Sequence, residues 1–320
     1  MVNVAIAGGT GAVGRTLIEV LSTQTKHQAF ILSRKAPNPE ETPLAPTFEV
    51  DYANVDALKT FLEENDIHTV ISAFGITATS LATSQLNLIK AADLSSATKR
   101  FIPSSFAMRY PEDGVALLPP LEHYFTSLEY AAVHNGTFLE YFAPATLQSH
   151  HPHSTLVLDI AHAAAAIPGD GNTPVTFTYT FDVARYVVAA LDLPTWPADH
   201  ELRIVGDELT FNEFVTLAEE TKGAKFDVVY DDVEKLKRSE VSELPGHQAS
   251  YAQFPKERLQ WFLSIFELWM ATGLGRVEGG KGSLNEACPE IKPLTASCEG
   301  DVGEVLEGVA VRMRGGGLVL

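Results

Sequence analysis

The stretch Val4-Ala5-Ile6-Ala7-Gly8-Gly9-Thr10-Gly11-Ala12-Val13-Gly14 decides the fold. Residues 4–7 read as a short buried strand. Gly8, Gly9, Gly11 and Gly14 make a tight turn, and residues 15–22 follow with Leu17, Ile18, Val20 and Leu21 at helical spacing. Strand, glycine turn and helix in one unit are the context in which this pattern means dinucleotide binding. A pyrophosphate must sit against backbone N–H groups at a helix N-terminus, where the helix dipole favours negative charge. Side chains at the turn would block that approach. The expected contacts are Gly8, Thr10, Gly11, Ala12, Val13 and Gly14.

Residues 28–33 form the next strand, which ends in Ser33-Arg34-Lys35. In a doubly wound sheet the end of strand two faces the adenosine ribose. An acid there bonds a free 2′-hydroxyl, whereas a base accepts a 2′-phosphate. Arg34 and Lys35 stand there with no acid, and a guanidinium can bind two phosphate oxygens at once. The expected cofactor is NADP, with Ser33, Arg34 and Lys35 at its phosphate. Asp51 and Tyr52, after a third strand at 48–50, are placed near the adenine.

Alternation continues with helix 55–63, strand 69–73, helix 81–95 and strand 100–103, which predicts a parallel sheet covered by helices on both faces. Ser72, Ala73 and Phe74 at the end of strand four, and Ser104 at the end of strand five, are expected to border the cofactor. Further on come strand 173–179, a helix 181–191 capped by Thr180, and strand 202–205. A Thr210…Glu213 capping box opens the next helix. A strand at 226–230 and a helix at 254–271 follow, the latter with Trp261, Phe262, Phe266 and Trp269 at a spacing that reads as packing. The fold class is therefore α/β, a Rossmann-type doubly wound parallel sheet with a smaller α/β C-terminal substrate domain. Residues 1–134, with a returning segment at about 173–205, are assigned to the NADP-binding domain. Residues 135–172 and 206–295 are assigned to the substrate domain, and 296–320 to a Gly-rich tail.

The chain has 320 residues, of which 45% are hydrophobic and 20% charged, an ordinary globular composition. No apolar run reaches the length of a membrane span, and no signal peptide precedes strand one. The formal net charge of −18 argues against nucleic acid and against an anionic membrane surface as partners. Cys288 and Cys298, the two cysteines, read as free thiols, and no metal site is expected. The expected setting is the cytoplasm, as a monomer or homodimer.

The glycine run, Leu32-Ser33-Arg34, the stretch Lys99-Arg100-Phe101-Ile102-Pro103-Ser104 and the run from Ala166 to Asn172 together resemble a known family. It is the NmrA-like/isoflavone-reductase-like atypical short-chain dehydrogenases. The phrases at 178–184 and 289–293 are similar to its fungal members, so the likeness covers roughly residues 1–295. The resemblance implies an NADPH-binding Rossmann domain, a cleft toward a smaller domain, and reduction of aromatic or polyketide-like secondary metabolites. One branch consists of redox sensors that bind the dinucleotide without catalysis.

This chain departs from the family at the proton donor. The resemblance implies a lysine on the helix after strand five, within residues 115–126, yet no lysine occurs between Lys99 and Lys222. Pro119 and Pro120 would also interrupt a helix there. Ser105-Phe106-Ala107 stand where an acid and then Phe-Gly are usual. Hydride transfer to a carbonyl or enone needs a donor for the developing oxyanion. His123 and Tyr124 are the candidates, with Tyr110 weaker. His150, His151 and His153 are expected to line the cleft rather than hold metal, because neighbours on an extended segment point to opposite faces. The expected function is NADPH-dependent reduction of a hydrophobic aromatic or polyketide-like metabolite. The alternatives are a non-catalytic NADP(H)-binding regulator, or a non-redox isomerase or cyclase.

Overall fold

A computed structural model describes residues 1–36, 43–75, 80–111, 124–143, 147–152, 154–252 and 254–296. In the first third, short, nearly continuous buried runs alternate with runs of helical period. The elements are β1 (Asn3–Ala7), α1 (Ala12–Gln24), β2 (Gln28–Ser33), β3 (Thr47–Glu49), α2 (Val55–Glu64) and β4 (Ile67–Ser72). Next come α3 (Leu86–Leu94), β5 (Arg100–Ile102) and β6 (Glu129–Tyr130). The six strands form one parallel sheet in the order β3-β2-β1-β4-β5-β6, the doubly wound arrangement expected. The helix predicted over 81–95 differs at its start, where Ser80–Gln85 is π-helical.

The chain then runs through β7 (Ala132–His134), β8 (Thr137–Phe138), a 3-10 turn at Leu139–Phe142, β9 (Leu158–Asp159), β10 (Ala164–Pro168) and β11 (Val175–Thr178). It continues with α4 (Thr180–Ala190), β12 (Glu201–Arg203), β13 (Asp207–Leu209), α5 (Phe211–Lys222) and β14 (Asp227–Asp231). The last elements are α6 (Val233–Lys237), α7 (Lys256–Ala271) and α8 (Leu284–Ala287). β7 carries on from β6 and pairs in parallel with β12. Two small sheets, β14-β10-β9 and β13-β11-β8, lie beyond.

Three apolar layers hold this together. Leu58, Leu62, Leu88 and Ile89 of α2 and α3 cover one face of the large sheet. Leu17, Ile18 and Leu21 of α1 cover the other with Val183, Tyr186 and Val187 of α4. A separate core gathers Phe142, Phe177, Phe211, Phe214 and Trp269 under the small sheets. In α7 the aromatic run is mostly packing, as its spacing predicts, although Trp261 is 39% exposed. Thr180 is a correction: it is the first residue of α4 and does not cap it. Its N–H is bonded instead by the Glu140 carboxylate, forty residues earlier and out of reach of any local pattern.

Arg100 joins β5 to α4. It is only 7% exposed. Its Nη1 donates to the Leu191 carbonyl at 3.1 Å, and Nη2 donates to Leu193 and Pro194 at 2.8 and 3.1 Å. Its Nε donates to Glu129 at 2.6 Å, and the guanidinium lies over the Trp196 ring. Removing the guanidinium leaves the Leu191 and Leu193 carbonyls without their donor, while Glu129 is partly exposed. Arg100→Met is therefore expected to cost about 1–3 kcal/mol, measured by urea denaturation. A loss under about 1 kcal/mol, the size of an exposed ion pair, would contradict this.

Candidate functional site

The glycine turn has two kinds of glycine. Gly8 has φ +82°, and a Cβ there would meet the Ala73 carbonyl oxygen at 2.5 Å. A Cβ on Gly14 would meet the Gly8 carbonyl oxygen at 2.4 Å. Both are required by the close approach of α1, β1 and the end of β4, where the Ala73 N–H donates to the Ala7 carbonyl. Gly11 is different. It is exposed, and its Cβ would find ordinary contacts at 3.4 Å and beyond. It occupies the N-cap of α1 with no side-chain cap bond, and the first turn holds no acid. The N–H groups of the first turn thus face an open cradle that the packing does not require but an anion does.

The end of β2 lies beside this turn. Arg34 and Lys35 are exposed, and no ion pair engages either among the described residues. Arg34 acts electrostatically on the Tyr52 phenol, whose hydroxyl donates to the Leu32 carbonyl at 3.1 Å. The Tyr52 ring meets Phe74 edge-on at 5.0 Å. Ser33 accepts the Lys35 N–H, and Ser104 Oγ donates to the Phe74 carbonyl at 2.8 Å. Gly8, Thr10, Gly11, Ala12, Val13, Gly14, Ser33, Arg34, Lys35, Ser72, Ala73, Phe74 and Ser104 thus follow the carboxyl ends of β1, β2, β4 and β5. Ser105 and Ala107, at the altered motif, splice this loop onto β7: Ser105 Oγ accepts the Val133 N–H, and Ala107 bridges His134.

Farther along the rim, buried polar atoms lack partners. Ser72 Oγ, Gln85 Nε2, His134 Nδ1, Asn135 Oδ1, Thr137 Oγ1, Glu140 Oε2 and His151 Nε2 have none among the described residues. Each such atom costs about 1–3 kcal/mol unless something meets it, and Ser72, His134, Asn135 and Glu140 stand at or just past the carboxyl ends of strands. Burial pushes the His134 and His151 imidazoles down to about 4, so both are neutral near pH 7. Burial, reinforced by Asp182, pushes the Glu140 carboxyl up to about 7 against the pull of Thr180. The sequence reading missed Glu140. Its signal was a lone carboxylate inside the run Phe138-Leu139-Glu140-Tyr141-Phe142.

Aromatic rings cluster after β8. The His151 ring lies 4.6 Å from Phe138 and 5.3 Å from Tyr141, while His150, pointing the other way, bonds Glu19 of α1 at 2.9 Å. Tyr110 meets Trp269 edge-on at 5.3 Å, and burial alone holds its phenol well above the usual range. Tyr124 is placed elsewhere, with Lys90 of α3 over its ring. The next residues, Thr126 and Ser127, bond Asp93 near the C-terminal end of that helix. A helix in a doubly wound fold ends at the amino side of the sheet, so Tyr124 is carried away from the glycine turn. His123 and His153 lie outside the described residues. Among the described residues no group of three or more His, Cys, Asp or Glu is placed to hold a metal ion, and no helix is long and apolar enough to cross a membrane. A groove of about 650 Å³ between the C-terminal halves of α1 and α4, lined by Lys26, His27 and Asp192, is at the opposite end from the turn.

The open cradle can be tested without knowing a substrate. Gly11→Asp supplies a favoured N-cap, worth about 0.5–2 kcal/mol to a helix, and places a negative charge where a pyrophosphate would sit. The variant is expected to melt no lower than the wild type but to bind dinucleotide at least about tenfold more weakly, one charge-assisted bond's worth. Unchanged binding would remove the cradle from the site.

Comparison with known proteins gives the family. The NmrA-like family model matches residues 2–253. An oxidoreductase named BOA1 from Botryotinia fuckeliana is 34% identical over 302 residues, spanning 92% of this chain and 96% of that protein. The oxidoreductase swnN from Metarhizium robertsii is 30% identical, spanning 91% and 94%. Among solved structures, the binary complex of Vitis vinifera leucoanthocyanidin reductase with NADPH superposes with a TM-score of 0.66 at 18% identity, covering 91% of this chain and 95% of that one. It shares the fold. With most of its length inside the family match and relatives of this identity along nearly all of it, the chain belongs to the NmrA-like family.

Proposed function

We propose that this chain is an NADPH-dependent reductase of a hydrophobic, aromatic or polyketide-like compound. Its oxidoreductase class is supported by relatives that match nearly end to end and carry that name. The observation that carries the cofactor is the open start of α1 set beside a strand end that bears Arg34 and Lys35. The N–H groups of Ala12, Val13 and Gly14 would hold the pyrophosphate, and Arg34 with Lys35 the 2′-phosphate. The related fold of the Vitis vinifera reductase, solved with NADPH, supports this choice. When bound, the dihydronicotinamide supplies a hydride. The substrate class is inferred from the apolar, aromatic stretch around Phe138, Tyr141 and His151, whose rings pack on one another after β8.

A fluorescence titration tests the reading. NADPH is expected to bind at least about tenfold more tightly than NADH, the worth of one charge-assisted hydrogen bond. Arg34→Ala is expected to abolish that preference while leaving NADH binding unchanged. Equal weakening of both dinucleotides would sink the 2′-phosphate argument. A panel of aromatic ketones and enones then separates the classes by NADPH consumption. Tight binding with no consumption across the panel would favour the non-catalytic regulator, and no binding of either dinucleotide the non-redox enzyme.

A further inference from the structure

Reduction of a carbonyl leaves negative charge on its oxygen, and some group must give that oxygen a proton. No lysine occurs between Lys99 and Lys222, so the rim segments after β5 hold no ammonium group for the task. His134 and His151 are neutral near pH 7, so neither is an imidazolium, and the N–H of a neutral ring is a far weaker acid than a carboxyl group. Asp182 is fully buried with both oxygens engaged, one by Arg185 and the other by the Leu294 N–H. The Tyr141 phenol is pushed up to about 12 by burial and by the charge of Glu140.

Glu140 is placed otherwise. It is 6% exposed; Oε1 accepts the Thr180 N–H at 2.9 Å, and Oε2 has no partner among the described residues. Its place follows from the topology. Arg100, at the amino end of β5, holds the carbonyls at the C-terminal end of α4. The other end of α4 therefore reaches the carboxyl rim, where α1 also begins, and the two helices pack against each other. One helix start is left open for an anion, and its neighbour is filled by the chain's own carboxyl group.

We propose that Glu140 is the proton donor of the cleft, an inference that rests on the reductase reading above. A C–H bond forms at the substrate carbon as hydride arrives, and the carbonyl π pair moves onto oxygen. The O–H bond of Glu140 breaks, its proton passes to that oxygen directly or across one water, and solvent reprotonates the carboxylate. The substrate is reduced by the hydride that a bound dihydronicotinamide would supply. The titratable and charged groups around Glu140 are Tyr141 on its own turn, Tyr179, Asp182 and Arg185 from the β11–α4 side, and His151 beyond Tyr141.

Glu140→Gln separates this role from simple capping, because the amide oxygen still accepts the Thr180 N–H while no acidic proton remains. The variant is expected to melt no lower than the wild type at about pH 8, since it escapes the cost of ionising a buried carboxyl. NADPH binding is measured calorimetrically at about pH 7.5 in phosphate and in Tris. Phosphates arriving at the neighbouring helix start favour the protonated carboxyl, so the wild type takes up a fraction of a proton that E140Q does not. With any ketone or enone that the wild type reduces, turnover falls as pH rises through about 7. E140Q is at least about tenfold slower, with no inflection there. Equal proton uptake by the two proteins, or a wild-type rate and pH profile in E140Q, overturns the donor role alone. The expected uptake difference with no NADPH consumption by the wild type overturns the reductase reading and the donor role together.

Discussion

The guanidinium of Arg100 sets the direction of α4, and the site depends on that direction. The last carbonyls of a helix have no partners within it, and here one buried cation at the amino edge of the large sheet gathers the carbonyl of the C-cap Leu191 together with those of Leu193 and Pro194 just beyond α4. The eleven residues of α4 then span about 16 Å, enough to bring its first turn up beside that of α1. Two positive helix ends side by side would attract anions without distinction. The fold separates them by composition: Gly11 leaves one start bare, while Glu140 and Asp182 supply carboxylates to the other.

The rim also shows what the segment after β5, Ser105-Phe106-Ala107, does in this chain. Ser105 and Ala107 do not point chemistry at the cleft. They pair with β7 and set the turn at Asn135, whose carbonyl accepts the Thr178 hydroxyl at 2.8 Å. That turn leads into the Phe138–Phe142 run, so the altered residues contribute by placing the carboxyl group and rings that follow.

Much of the fold was legible because its signals are local. The glycine run lies within one strand–turn–helix unit, Arg34 immediately follows β2, and the Thr210–Glu213 box closes over four residues as read. The functional rim was less legible, because its contacts span long separations. Glu140 is defined by an N–H forty residues away, and Arg100 by carbonyls more than ninety residues away. Tyr124 looked suitable from its place after β5, yet Asp93 draws the following residues toward the far end of α3. The supposed cap Thr180 failed for the same reason, since a distant carboxylate had taken the position.

The segment at 147–151 ties α1 to the rim. Gln148 and His150 both grip one carboxylate, Glu19, at 2.7 and 2.9 Å, and Tyr179 holds the Gln148 carbonyl from below. The two grips on Glu19 are at or near the surface, and together they are worth on the order of 1–3 kcal/mol. Packing adds to these bonds, since Leu147 lies against the apolar layer between α1 and α4 and the His151 ring lies against Phe138 and Tyr141. One short segment thus fastens the flank of α1 to the start of α4, and its polar and apolar holds must break together.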